Sequence, residues 1–184
     1  MRVGADNTTI ILADPPWPHA NGSRTNSGKS PKYPLMNLRE IAALGPAVAS
    51  LGGSDAVLYL WATTPHLPGA IDTIRAWGFT YRSLHIWRKT KIACGFWARS
   101  NAEIVLIGER GRPSPPNGSM LMPTILDGVA EAQAHSSKPT VLHDMIERQW
   151  SPSRKIELFA RRERSGWECY GGDLGHTISA NGVA

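Results

Sequence analysis

Residues 8–17 read TTIILADPPW, and this run decides the reading of the 184-residue chain. Thr8 to Leu12 is a short, apolar, β-branched stretch, the pattern of a buried strand. It ends at Ala13-Asp14, and prolines at 15, 16 and 18 stop any regular structure there. A carboxylate therefore stands at the carboxyl end of a buried strand. In open α/β sheets that is the end at which ligands bind.

Working outward, Pro18 to Pro34 is polar and rich in Gly, Ser, Asn and Lys, and predicts a long lid-like loop. Asn37 to Leu51 predicts a helix in two pieces, broken around Gly45-Pro46. Ala56 to Trp61 is a continuous apolar strand. Pro65 to Trp77 is an amphipathic helix with Leu67, Ala70, Ile71, Ile74 and Trp77 on one face. Phe79 to Trp87 and Glu103 to Ile107 are strands, and Arg112 to Pro123 is a loop. Pro139 to Trp150 is a helix with Pro139 in its first turn, where a missing N–H is harmless. Lys155 to Phe159 and Trp167 to Tyr170 are strands. This alternation predicts an α/β fold with a mostly parallel central sheet flanked by helices. It forms one domain over residues 1–174, with 175–184 a flexible tail.

The composition narrows the function classes. A hydrophobic fraction of 41% supports a packed core and excludes a disordered chain. Twenty Lys and Arg against 15 Asp and Glu leave a net charge of +5, which suits a polyanionic partner. Cys94 and Cys169 form no CxxC pair, so no cysteine-built zinc site and no metal is expected. The apolar stretch from Ile10 to Leu12 is too short for a signal peptide, and nothing approaches the roughly 18 apolar residues of a membrane span. A cytoplasmic location, away from membranes, is the expectation.

The chemistry concentrates in Asp14, Pro15, Pro16 and Trp17. The nitrogen of an aromatic amine is a poor nucleophile because its lone pair is delocalised into the ring. A site that alkylates it must accept hydrogen bonds from both N–H groups and leave the lone pair facing the donor. A carboxylate and a backbone carbonyl can do this together. Two consecutive prolines restrict the turn that presents the carbonyl. An aromatic ring can stack on the base, worth about 1–3 kcal/mol. Asp14, the Pro15 carbonyl and Trp17 supply these groups within four residues, and no metal is needed.

A second element, His135-Ser136-Ser137-Lys138-Pro139 followed by Leu142 and Ile146, opens a helix with a lysine at its mouth. With ADPPW, it makes the chain resemble the MT-A family of adenine-amine methyltransferases. The likeness runs from about Ile10 to Asp173. It includes Tyr33-Pro34-Leu35-Met36, Leu60-Trp61-Ala62-Thr63, Trp77-Gly78-Phe79, Trp87-Arg88-Lys89-Thr90, Gly95-Phe96-Trp97, Glu103, the segment from Lys155 to Arg161, and Gly166-Trp167. The resemblance implies a Rossmann-like methyltransferase in permuted order, with the DPPW motif before the cofactor-binding strands. It implies S-adenosyl-L-methionine as cofactor, held by Asp14, Lys138, Glu157, Arg161, Gly172 and Asp173. It places Trp17, Tyr33, Trp87 and Glu103 on the substrate side, with burial in the core the rival role for Trp87 and a buried ion pair the rival for Glu103. Gly172 departs from the Asn common in the family.

The expected reaction is methylation of the N6 amine of adenine in DNA, with short or relaxed sequence preference. RNA is the alternative substrate, and a catalytically silent nucleic-acid-binding subunit the alternative of another class. Cytosine-amine enzymes carry a motif that begins with Ser and ends with Tyr, so Asp14 and Trp17 argue for adenine. Nucleic acid is the expected partner, gripped in part by Arg24, Lys29 and Lys32 of the loop. A homodimer through the Arg112–Pro123 loop, or a partner subunit, is a further expectation.

Overall fold

The structure, a computed structural model, describes residues 7–18, 34–92, 97–127 and 138–183. Its centre is β1 (Thr9–Ala13), every residue of which is buried. β1 pairs in parallel with β2 (Ala56–Thr63) on one side and with β6 (Arg154–Leu158) on the other. β7 (Glu168–Tyr170) extends the sheet in parallel beyond β6. On the far side of β2, β4 (Ala102–Arg110) runs antiparallel, followed by β3 (Thr80–Arg88) and the two-residue β5 (Ile125–Leu126). The sheet order is β5-β3-β4-β2-β1-β6-β7. The expected α/β fold with a mostly parallel sheet is what the chain adopts, in the manner of a Rossmann-like methyltransferase.

Side chains alternate across a strand, so each face of the sheet has its own core. Ile11, Leu58, Leu60 and Ile156 meet Ile41, Val48, Ile74 and Trp77, from or beside α1 (Leu38–Ala42), α2 (Gly45–Gly52) and α3 (Leu67–Ala76). On the opposite face Leu12, Tyr59, Trp61, Val105 and Trp87 meet Leu142 and Ile146 of α4 (Val141–Gln149), and Trp150 just beyond it. Helices thus cover both faces, as a sheet with parallel strands requires.

The helical stretch comes in two pieces, as expected: α1 ends at Ala42, and Gly45-Pro46 open α2, where Pro is tolerated in a first turn. Gly45 is also required there, because a Cβ would stand 2.7 Å from the Ala76 carbonyl oxygen. β5 has no counterpart among the predicted strands. The residues after Gly175, expected to be a flexible tail, instead form a hairpin of β8 (Ile178–Ser179) and β9 (Gly182–Val183). Ala180 and Asn181 make the two-residue turn between them, Ile178 packs on the first core, and a bridge between Gly171 and His176 holds the segment leading into the hairpin beside the end of β7. Among the described residues no helix is long and apolar enough to cross a membrane.

Candidate active site

At the carboxyl end of β1 the chain opens into a cleft of about 520 Å³. Asp14, Pro15, Pro16 and Trp17 form one wall. Asp14 extends the alternation of Ile10 and Leu12, so its side chain emerges toward α4. There its Oδ2 accepts a 2.8 Å hydrogen bond from Nζ of Lys138, which lies just before that helix. Lys138 also stands 3.2 Å from Oε2 of Glu103, and the other oxygen of Glu103 pairs with Lys89. The result is a chain of alternating charge, Asp14–Lys138–Glu103–Lys89, reached from four elements. Nζ of Lys138 lies 5.4 Å from the centre of the Trp61 ring, and Nζ of Lys89 lies 5.3 Å from that of Trp87.

Burial works against the charge on Lys138, but the Asp14 and Glu103 carboxylates outweigh it and hold the ammonium above the ordinary lysine range. A charged, nearly enclosed lysine with three donors and two carboxylate partners keeps one donor available to a ligand.

The turn after Asp14 is tightly specified. The Pro15 carbonyl accepts the Trp17 N–H at 2.8 Å, and the Pro16 carbonyl accepts the Met36 N–H at 2.9 Å. Trp17 is 8% exposed. Its indole N–H donates to the Trp61 carbonyl at 2.9 Å. The ring stacks on His66 with centroids 5.8 Å apart and planes 16° from parallel.

The opposite wall comes from the ends of β6 and β7. Phe159, Arg161, Gly172 and Asp173 line the cleft, together with Thr177 and Ile178 of the C-terminal segment. Phe159 has φ 64°, a left-handed conformation that disfavours a bulky residue. It is the tight turn that a glycine-rich loop makes elsewhere in nucleotide-binding sheets. Gly171 is obligatory, since a Cβ would collide with the Ala160 carbonyl oxygen at 1.8 Å. At Gly172 nothing stands within 4 Å of a Cβ position, so an Asn there has room.

The structure therefore brings Asp14, Pro15, Pro16, Trp17, Glu103, Lys138, Arg161, Gly172 and Asp173 to one cleft. Glu157 lies outside it. It lines a neighbouring cavity of about 120 Å³ that shares Asp14, Lys138 and Arg161, and it pairs with Nε2 of His143 at 2.9 Å. Trp87 is 2% exposed and sits in the core beneath Trp61, 6.0 Å from it edge-to-face. Its position accords with the core alternative, and Glu103 lies in the ion pairs that were its alternative. Tyr33, His135, Ser136, Ser137 and the basic loop residues Arg24, Lys29 and Lys32 lie outside the described residues. Met36 and Phe159, which stand in the quoted motifs without an assigned role, also line the cleft, as do Tyr170, Thr177 and Ile178, which sequence reasoning did not place at the site.

The residues present suit S-adenosyl-L-methionine. The volume falls in the range of small-molecule sites, about 300–1,000 Å³. Apolar surface from Phe159, Met36 and Ile178 lies between charged groups at both walls. Lys138 can meet a carboxylate, Asp14 an ammonium, and Asp173 and Arg161 polar groups of a nucleoside. Among the described residues no cluster could hold a metal ion.

A sheet with parallel strands, an acidic DPPW turn at its carboxyl edge and a ligand-sized cleft define a Rossmann-like methyltransferase. The chain belongs to the MT-A70 family, which matches residues 8–173 and makes it an adenine-N6 methyltransferase. It is 30% identical over 180 residues to the Type II methyltransferase M.MunI of a Mycoplasma species, covering 88% of this chain and 76% of that protein. It is 31% identical over 161 residues to a Drosophila melanogaster N(6)-adenosine-methyltransferase MT-A70-like protein, covering 83% of this chain and 24% of the relative. To the human N(6)-adenosine-methyltransferase catalytic subunit METTL3 it is 29% identical over 160 residues, covering 83% of this chain and 25% of that subunit. The chain thus spans about a quarter of the length of these two animal relatives.

Proposed function

We propose that the chain transfers a methyl group from S-adenosyl-L-methionine to the N6 amine of adenine in DNA, with short or relaxed sequence preference. The observation that carries this reading is the state of Asp14. Lys138 holds one carboxylate oxygen, while Oδ1 has no hydrogen-bond partner among the described residues. The Pro15 carbonyl uses one lone pair on Trp17 and has a second to offer. Asp14 and Pro15 can thus accept the two N–H groups of an adenine amine and turn its lone pair toward the donor. Trp17 supplies an aromatic surface for the base.

When bound, the cofactor supplies a methyl group already activated on a sulfonium. What remains for the protein is orientation and electrostatic complementarity. Lys138 fixes the Asp14 carboxylate and would meet the carboxylate of the cofactor. Asp14 need not be a strong base, because the amine becomes acidic as it gains the methyl group. A duplex target must be unstacked or flipped to reach the cleft.

DNA is favoured by the similar extent of this chain and the Type II methyltransferase relative. RNA is the second reading, favoured by the N(6)-adenosine-methyltransferase relatives. Transfer of label from S-adenosyl-L-methionine to adenine-rich single-stranded DNA, duplex DNA and RNA tests both. The expected outcome is N6-methyladenine in DNA, lowered about a thousandfold or more by Asp14→Ala, with the melting temperature retained. Labelling of RNA alone would overturn the DNA assignment. A cofactor-binding protein that labels no polymer would point to the silent-subunit alternative.

A further inference from the structure

We propose that His66 is a positioning residue for Trp17, laid against the indole so that the ring keeps the pose in which it lines the cleft. The proposal rests on the methyltransferase reading of the cleft and assigns a residue to its substrate side.

The geometry is specific. Trp17 lines the cleft and His66 does not. The two rings are nearly parallel, 16° apart, and offset, with centroids 5.8 Å apart. The hydrogen bond from the Trp17 indole to the Trp61 carbonyl fixes one edge of the ring. A single edge bond still lets a planar ring tilt about the N–H···O line. A second plane laid against it removes that freedom.

His66 is itself held at one ring nitrogen: Nδ1 meets Oγ1 of Thr63, the last residue of β2, at 2.8 Å. Through that bond and the stacking on Trp17, one imidazole joins the DPPW turn to the β2–α3 connection. Burial lowers its tendency to protonate, so near neutral pH a neutral ring lies against the indole. Position 66 ends the 3-10 turn Thr64–His66 and stands as the N-cap of α3, whose backbone its side chain does not cap.

A base stacked on Trp17 is held in the ground state and the transition state alike, so loss of that platform raises KM more than it lowers kcat. Two substitutions separate stacking from hydrogen bonding. His66→Gln keeps hydrogen-bonding capacity and removes the ring. His66→Phe keeps a ring and removes the hydrogen bond. The expected result is a KM for DNA raised about tenfold in His66→Gln, with kcat and cofactor affinity by calorimetry within about twofold, and a KM within about threefold of the parent in His66→Phe. A second readout needs no turnover. In protein labelled with 5-fluorotryptophan, the fluorine resonance identified by its loss in Trp17→Phe should move in His66→Gln and stay close to the parent in His66→Phe.

The reverse ranking, Phe damaged and Gln intact, would overturn the proposal, because His66 would then act only as a hydrogen-bonded tie. An unmoved resonance in His66→Gln, or a KM that does not change, would overturn it as well. If the parent protein methylates no nucleic acid, the functional reading fails, while the resonance still decides whether His66 sets Trp17.

Discussion

Two partly hidden cations stand at opposite ends of the same sheet, and they are held in opposite ways. Arg110 closes β4 at the amino end of β1 and β2. Its guanidinium donates to the carbonyl of Gly53 at 2.7 Å, reaches those of Ala49 and Trp77 at 3.4 and 3.5 Å, and lies 4.7 Å from the centre of the Phe79 ring. Lys138, at the carboxyl end, is held by two carboxylates. Burial pulls the Arg110 pKa down. Burial acts on Lys138 too, but the carboxylates reverse its effect. Carbonyls are fixed neutral dipoles, so Arg110 can only anchor. The carboxylates around Lys138 carry full charges that a ligand can share or replace, and this is what a binding site requires.

The contrast can be broken most forcefully at Lys138. Lys138→Met leaves Asp14 and Glu103 facing each other without the ammonium between them. The expected loss is at least a hundredfold in cofactor affinity by calorimetry, with about 3 kcal/mol of stability in urea unfolding. Unchanged cofactor affinity would mean that Lys138 is an anchor like Arg110. Next in size, Arg110→Met strands the carbonyls of the α2 end. It should cost about 1–3 kcal/mol while kcat/KM of the folded enzyme stays within about twofold. A large catalytic loss at retained stability would erase the distinction between the two ends.

The smallest effect is one of pH. The folded pKa of Lys138 lies above its unfolded value of 10.5. Its stabilisation is therefore complete below about pH 10.5 and falls as pH rises through the folded value. Urea midpoints should be level up to about pH 10.5 and decline above it in the parent and in Arg110→Met. Lys138→Met should lack that share of it.

Much of this was legible in the sequence because β1 and the DPPW turn announce themselves locally. The run TTIIL has no polar alternation, so it reads as a buried strand, and the prolines mark its end. Lys138 and Arg161 each follow a pattern within a few residues. Glu157 and Trp87 were harder because strand parity decides which way they point. Glu157 is opposite Leu12 in register, so it faces α4 and meets His143 rather than the main cleft. Trp87 is opposite Glu103, and that pairing carries it beneath Trp61. His66 was invisible because its partner Trp17 is 49 positions away and no period links them. The C-terminal hairpin was hard to see because its strands are two residues each, too short to show a period, although Ile178 packs on the core.

The sheet order also sets a timetable for synthesis. Asp14 leaves the ribosome 124 residues before Lys138, and β6, which completes the central pairing, follows later still. At the usual pace of about 5–20 residues per second, the Asp14 carboxylate waits roughly 6–25 s for its ammonium partner. The central strand waits longer for one of its two neighbours, with both edges of TTIIL needing protection in the meantime. Only β2 can shield it early. The DPPW turn is therefore made well before the ammonium and the neighbouring strand that complete its surroundings.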